Sequence, residues 1–143
     1  MEQNYKNHRR FVLMYHVVTF LIIVLLVISS LYYIIADASK GNPMRQDMFY
    51  FLISLSLLFI FFFARMFALK AQDRAIRAEE NFRHYLLTGK PLDSRLTIRQ
   101  IIGLRFAKDE EFIELANRAA ESGMPEEDIK KAIKNWKSDT YRV

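Results

Sequence analysis

Cysteine is absent from the 143 residues, which removes disulfide frameworks, Cys-ligated zinc or iron–sulfur centres and thiol catalysis together. Glycine is scarce: Gly41, Gly89, Gly103 and Gly123 stand alone, so neither a P-loop nor a dinucleotide fingerprint can be assembled. The three histidines, His8, His16 and His84, are scattered and lack the close spacing that metal ligation from one helix needs. Ser94 and Ser122 fall in loop segments with no local base. No cofactor and no enzymatic role are expected.

Charge is also missing, but from one stretch only. Of the 37 charged residues, 21 Lys/Arg and 16 Asp/Glu, 4 lie in residues 1–10, 4 in residues 11–64 and 29 in residues 65–143. A mean hydropathy of zero therefore averages two unlike halves. Phe11 to Ala36 is a run of 26 residues with no formal charge, and a bilayer core takes roughly 20 apolar residues as a helix. Met48 to Ala64 is a second, Phe-rich run of 17. Arg65 can snorkel, and Met66 to Leu69 lengthen the apolar stretch. Residues 37–47, with Gly41, Asn42 and Pro43, read as the turn between two spans. A cleavable signal peptide is the competing reading, because basic residues precede the first run and Ala36-Asp37-Ala38 has a small-x-small pattern. A signal's apolar region is only about 7–15 residues, which argues against it.

The expected fold is all-α: a helical hairpin of spans 11–36 and 48–69, and a helix over 65–88 continuous with the second span. A module of three short helices then occupies 92–143. Lys/Arg number three in residues 1–10, two in the turn and four in residues 65–77, which favours both termini on the cytoplasmic side. Tyr32 and Tyr33 end the first span and Phe49 and Tyr50 begin the second, an aromatic belt at the turn. His16 is the only titratable side chain inside the spans. Its place near the interface favours a neutral imidazole bonded to backbone, water or headgroup over a ligand role.

No Pro or Gly interrupts Met48 to Thr88; Gly89 and Pro91 end the helix. Ala64, Ala68, Ala71, Ala75, Ala78, Phe82 and Tyr85 form a seam of alternating 3 and 4 spacing, suited to close helix approach. Three occupants are compatible with it: the chain's own C-terminal helices, a second copy making a homo-oligomer, or a helix of another protein. Self-packing is expected, because Leu69, Ile76, Leu86 and Leu87 widen the apolar surface. Asp73/Arg77 and Glu79/Arg83 are spaced for i,i+4 ion pairs. Arg65, Lys70, Arg74 and Arg77 form a basic cluster suited to anionic lipid headgroups.

Beyond Pro91, Thr97 and Gln100 make a capping box for the first short helix, and Gly103 inside it indicates close approach of another helix. Asp109 is the expected cap of the second helix, with Phe112, Leu115, Ala116 and Ala119 as its stripe. The third opens at Pro125, places Ile129, Ile133 and Trp136 on one face, and ends among Lys134 and Lys137. Lys130, Lys134 and Lys137 then share a face that could meet an anionic partner. Nucleic acid is not the expected one: residues 65–143 balance 16 Lys/Arg against 13 Asp/Glu and lack a base-reading Asn, Gln and Arg set.

The segments Asn4-Tyr5-Lys6-Asn7-His8, Phe67 to Asn81, Leu96 to Ile101 and Ile133-Lys134-Asn135-Trp136 together resemble a family of small bacterial membrane proteins known only as a domain of unknown function. The resemblance covers essentially the whole chain and implies the two-span architecture in a bacterial inner membrane, without an activity. The reading is thus an accessory, scaffold or adaptor protein in that membrane, with a cytoplasmic protein-interaction module. The alternative is a membrane-tethered regulator binding anionic lipid or nucleic acid through Lys130, Lys134 and Lys137. Small-molecule or ion transport is disfavoured, since two spans without a charged lining would need many copies.

Overall fold

In the computed structural model, which describes residues 3–7 and 11–139, every regular element is helical. The chain divides into an apolar unit, Phe11–Phe67, and a charged unit formed by residues before it together with those from Ala68 onward.

The apolar unit opens with a π-helical stretch, Met14–Thr19, that runs into α1, Phe20–Lys40. Gly41 follows in the left-handed region, at φ 72°. Its N–H bonds Ala38 O and the N–H of Asn42 bonds Asp37 O, the wrapped ending that a left-handed glycine permits. The next helix, α2, begins at Arg45 and runs to Thr88. The turn is thus shorter than the expected 37–47: Asp37 to Lys40 remain helical, with Asn42 Nδ2 bonded to Asp37 Oδ1 at 3.1 Å.

Polarity in this unit is inverted relative to a water-soluble core. Leu25, Ile28, Ile35, Phe59 and Ile60 are each more than half exposed, whereas Ser30 and Ser54 are buried together with a single apolar residue among those described, Ile23. The two serine hydroxyls lie 3.3 Å apart, and each donates to the carbonyl three residues back, Val27 and Phe51. Small polar residues at a helix contact with large apolar ones outside match packing in lipid, where burial of Leu against Leu has no hydrophobic advantage. Tyr15 adds a stacked contact with Phe61 at 4.4 Å and donates to Phe61 O. Both helices are long and apolar enough to cross a membrane.

The charged unit begins as α2 continues past Ala68 and closes at Gly89, which takes φ 72° and donates to Tyr85 O. Three short helices follow: α3 Ile98–Leu104, α4 Asp109–Ser122 and α5 Glu126–Ala132. The capping box forms as expected: Thr97 Oγ1 accepts from Gln100 N, and Gln100 Oε1 accepts from Thr97 N. Gln100 Nε2 also donates to Ala119 O and Met124 O, filling carbonyls at the end of α4. A Cβ on Gly103 would come within 3.2 Å of Glu126 O and of Ile129 Cγ2, so α3 and α5 cross there with no room for a side chain. Phe106, Phe112, Leu104 and Ile129 are almost wholly buried, each contributing about 1.5–3 kcal/mol of apolar transfer.

Two expectations are corrected. The cap of α4 is Lys108, whose backbone is extended, and Asp109 is the first helical residue. The last helix stops at Ala132, because Ile133 turns extended at ψ 122°. The chain beyond it becomes a strap along residues 105–108. Glu111 accepts from the N–H groups of Lys134 and Asn135, Trp136 bridges Ala107, and Lys137 N donates to Phe106 O. Ile133 and Trp136 therefore reach the core, with the Trp136 ring tilted against Phe106 at 5.0 Å, through extended chain.

Residues 3–7 join this unit. Gln3 exchanges hydrogen bonds with the backbone of Asp139, and Tyr5 OH donates to Glu127 Oε2. Lys131 lies over the Tyr5 ring, 5.9 Å from its centre.

Candidate functional site

Helical spacing divides the α2 segment of the charged unit into opposed faces. Ile76, Glu80 and His84 are buried and Arg83 nearly so. At 100° per residue these four centre about 165° from the line through Ala71, Ala75, Ala78, Phe82 and Tyr85. The first face holds the module by a charge-assisted clamp. Arg83 bonds Glu80 at 2.9 Å, Asp109 Oδ1 through Nε at 2.7 Å and Ala107 O at 2.8 Å, and its guanidinium sits 4.2 Å from the centre of the Phe112 ring. His84 Nδ1 lies 2.8 Å from Lys90 O, its ring edge-on to Phe112. Asn81 Oδ1 accepts from Leu92 N. Arg83 thus pairs with Glu80 and Asp109 in place of the expected Glu79.

The expected seam lies on the other face. Ala71, Ala75 and Ala78 are exposed, as are Phe82 (62%) and Tyr85 (54%); Ala68 is half-buried. It does not pack on the chain's own short helices, because the Arg83 clamp turns it outward. Leu86, 68% exposed, extends the same stripe. Ala64 is exposed within the apolar unit.

The basic cluster separates likewise. Arg65 is half-buried in the apolar unit, and Lys70, Arg74 and Arg77 are exposed in the charged one. Arg74 and Arg77 border a cleft of about 390 Å³ between α2, the loop following it and α3. Leu92, Leu96 and Ile101 form its apolar wall with Ala78 of the seam at its margin, and Asn81, Asp93 and Ser94 complete its edge. Asp93 is occupied: Arg95 bonds both its carboxylate oxygens and donates a backbone N–H as well. That pairing holds the Asp93 carboxyl at a pKa of about 2, below the ordinary 3.8.

The lysine face expected on the last helix does not form. Lys130 is buried, bonded to Glu126 at 2.6 Å and set 5.9 Å from the Phe106 ring centre. Lys134 and Lys137 are exposed but belong to the strap. Inside the apolar unit, His16 Nδ1 contacts the Val12 backbone at 2.9 Å and its ring stacks on Phe11, the backbone-bonded arrangement expected of it. Among the described residues no three His, Asp or Glu side chains cluster as a metal site would require.

Sequence reasoning missed the clamp, and its one available signal was the 76, 80, 83, 84 spacing. Neither the curated proteins nor the solved structures include a match to this chain. A family model does match it, over residues 1–143, and the chain belongs to that family, described as a family of unknown function (DUF6526).

Proposed function

We propose that this protein is a non-enzymatic accessory or scaffold subunit of the bacterial inner membrane. Its apolar unit is a two-span anchor, and its charged unit is a cytoplasmic module that docks a protein partner through the outer face of α2. The single observation carrying the docking role is the exposed stripe of Ala71, Ala75, Phe82, Tyr85 and Leu86 on the face opposite the Arg83 clamp. A helix that spends polar residues on holding its own module and leaves Phe and Leu outside resembles a surface kept for contact. The inverted polarity of the apolar unit supports the membrane reading. So does the bonding of residues 3–7 to Glu127 and Asp139, since a unit built from both flanks cannot be divided by a bilayer. The excess of Lys/Arg in the flanks over the turn supports the cytoplasmic side.

The test is purification in mild detergent at native expression, followed by mass measurement. A stoichiometric protein partner is expected, lost on Phe82→Ser/Leu86→Ser while the melting temperature holds. Retention of the partner by that variant would contradict the docking face. A single Cys at Ala75 separates a second copy, which would crosslink with itself under oxidation, from a different helix, which would not.

A further inference from the structure

The cleft beside α2 has the donor set of an anion site. Arg74 and Arg77 are exposed and have no ion pair among the described residues. Asn81 spends its carbonyl oxygen on Leu92 N, which leaves its amide NH₂ as a donor, and Ser94 adds a hydroxyl. The one carboxylate at the edge, Asp93, is already bound by Arg95 on both oxygens, so it neither neutralises Arg74 and Arg77 nor strongly repels an anion. Two guanidiniums with an amide and a hydroxyl match a group presenting several oxygens, and guanidinium forks suit phosphate in particular. The opposite wall is apolar: Leu96 and Ile101 are 3% and 2% exposed and belong to the core. At about 390 Å³ the cleft is at the lower end of the roughly 300–1,000 Å³ usual for small ligands, large enough for a phosphate and a short apolar segment attached to it.

We infer that this cleft binds a phosphate ester, with Arg74 and Arg77 on the phosphate and Leu92, Leu96 and Ile101 against the carbon chain beside it. The phosphate has two sources, a lipid headgroup or a soluble ester. Arg74 and Arg77 follow Phe67, the last residue of the apolar unit, by seven and ten positions, which favours the headgroup. Only that choice of source rests on the membrane reading. The docking stripe uses other residues, so the partner test and this one fail independently.

Native mass spectrometry of the full-length protein tests the inference, with phosphatidylglycerol, phosphatidylcholine and soluble glycerol 3-phosphate as probes. One phosphatidylglycerol per chain is expected, held in preference to phosphatidylcholine. Arg74→Gln/Arg77→Gln should weaken it about tenfold or more without lowering the melting temperature, while Arg65→Gln/Lys70→Gln should leave it within about twofold. Equal retention of glycerol 3-phosphate, with the same dependence on Arg74 and Arg77, would support the site and assign it to a soluble ester. Equal losses from both pairs of substitutions would overturn the inference, reducing the effect to diffuse attraction between basic residues and lipid. Absence of binding by any probe would overturn it as well.

Discussion

Arg83 ties α2 to α4 and to the residues just before it. It touches Glu80, Asp109, the Ala107 carbonyl and the Phe112 ring at once, and Glu80 beside it is 6% exposed. Removing a partner from a buried ion pair leaves an uncompensated charge, which costs about 3–5 kcal/mol. Arg83→Met should destabilise the charged unit by that amount in a denaturant titration followed at Trp136, the chain's single tryptophan. Asp109→Asn should cost under about 1 kcal/mol, since Asp109 is 60% exposed. Lys130 provides a similar contrast. Lys130→Met breaks a bond to Glu126 at a buried site and should cost roughly 1–3 kcal/mol, whereas Lys134→Met and Lys137→Met should stay within about 0.5 kcal/mol. At Asp93 the bonds from Arg95 favour the ionised carboxylate. With a folded pKa of about 2 against the ordinary 3.8, the loop's stabilisation is complete above about pH 4 and is lost as the pH falls through 2. A carboxyl NMR titration should place the Asp93 midpoint near 2 in the wild type and higher in Arg95→Gln, though still below 3.8 because the backbone N–H of residue 95 keeps its bond to Asp93 Oδ1; coincident midpoints would contradict the role given to the guanidinium.

At the scale of elements, what was legible depended on whether a local signal had one meaning. The Thr97–Gln100 box, the apolar stripe of α4 and the left-handed glycines at 41 and 89 each have a single structural use, and each occurs where the pattern indicates. Gly103 predicted a close crossing, and Val in its place should destabilise the contact of α3 with α5 by about 1–3 kcal/mol, read in the same titration. Two signals had more than one meaning. Ile129, Ile133 and Trp136 fit a helical face, yet Ile133 and Trp136 reach the core from an extended strap, held by Glu111 across 23 and 24 residues of sequence. Such long-range bonds leave no trace in periodicity. On α2, apolar spacing singled out the Ala seam as the packing face, but packing runs through Ile76, Glu80, Arg83 and His84. Three of those four are polar or charged, so hydrophobic patterning could not rank them first. The Arg74/Arg77 cleft was legible only as a basic cluster; its apolar wall comes from Leu92, Leu96 and Ile101, beyond the turn at Gly89.

For the whole molecule, the segregation of charge along the chain becomes a segregation into two units with opposite internal logic. The apolar unit carries Leu, Ile and Phe outside and a serine pair within. The charged unit buries Phe106, Phe112 and Ile129 and closes over residues from both sides of the apolar stretch. On the proposed membrane reading, both flanks must lie on one face of the bilayer and the turn at Gly41 on the other. The lack of cysteine makes the most direct test simple, because any introduced thiol is the sole target. Single variants Asn4→Cys, Asn42→Cys and Lys137→Cys would be treated with a membrane-impermeant maleimide in intact and in permeabilised cells. Asn42→Cys should be labelled in intact cells, and Asn4→Cys and Lys137→Cys only after permeabilisation. Labelling of Asn4→Cys and Lys137→Cys from different sides, or of Asn42→Cys from the same side as either, would contradict the membrane reading.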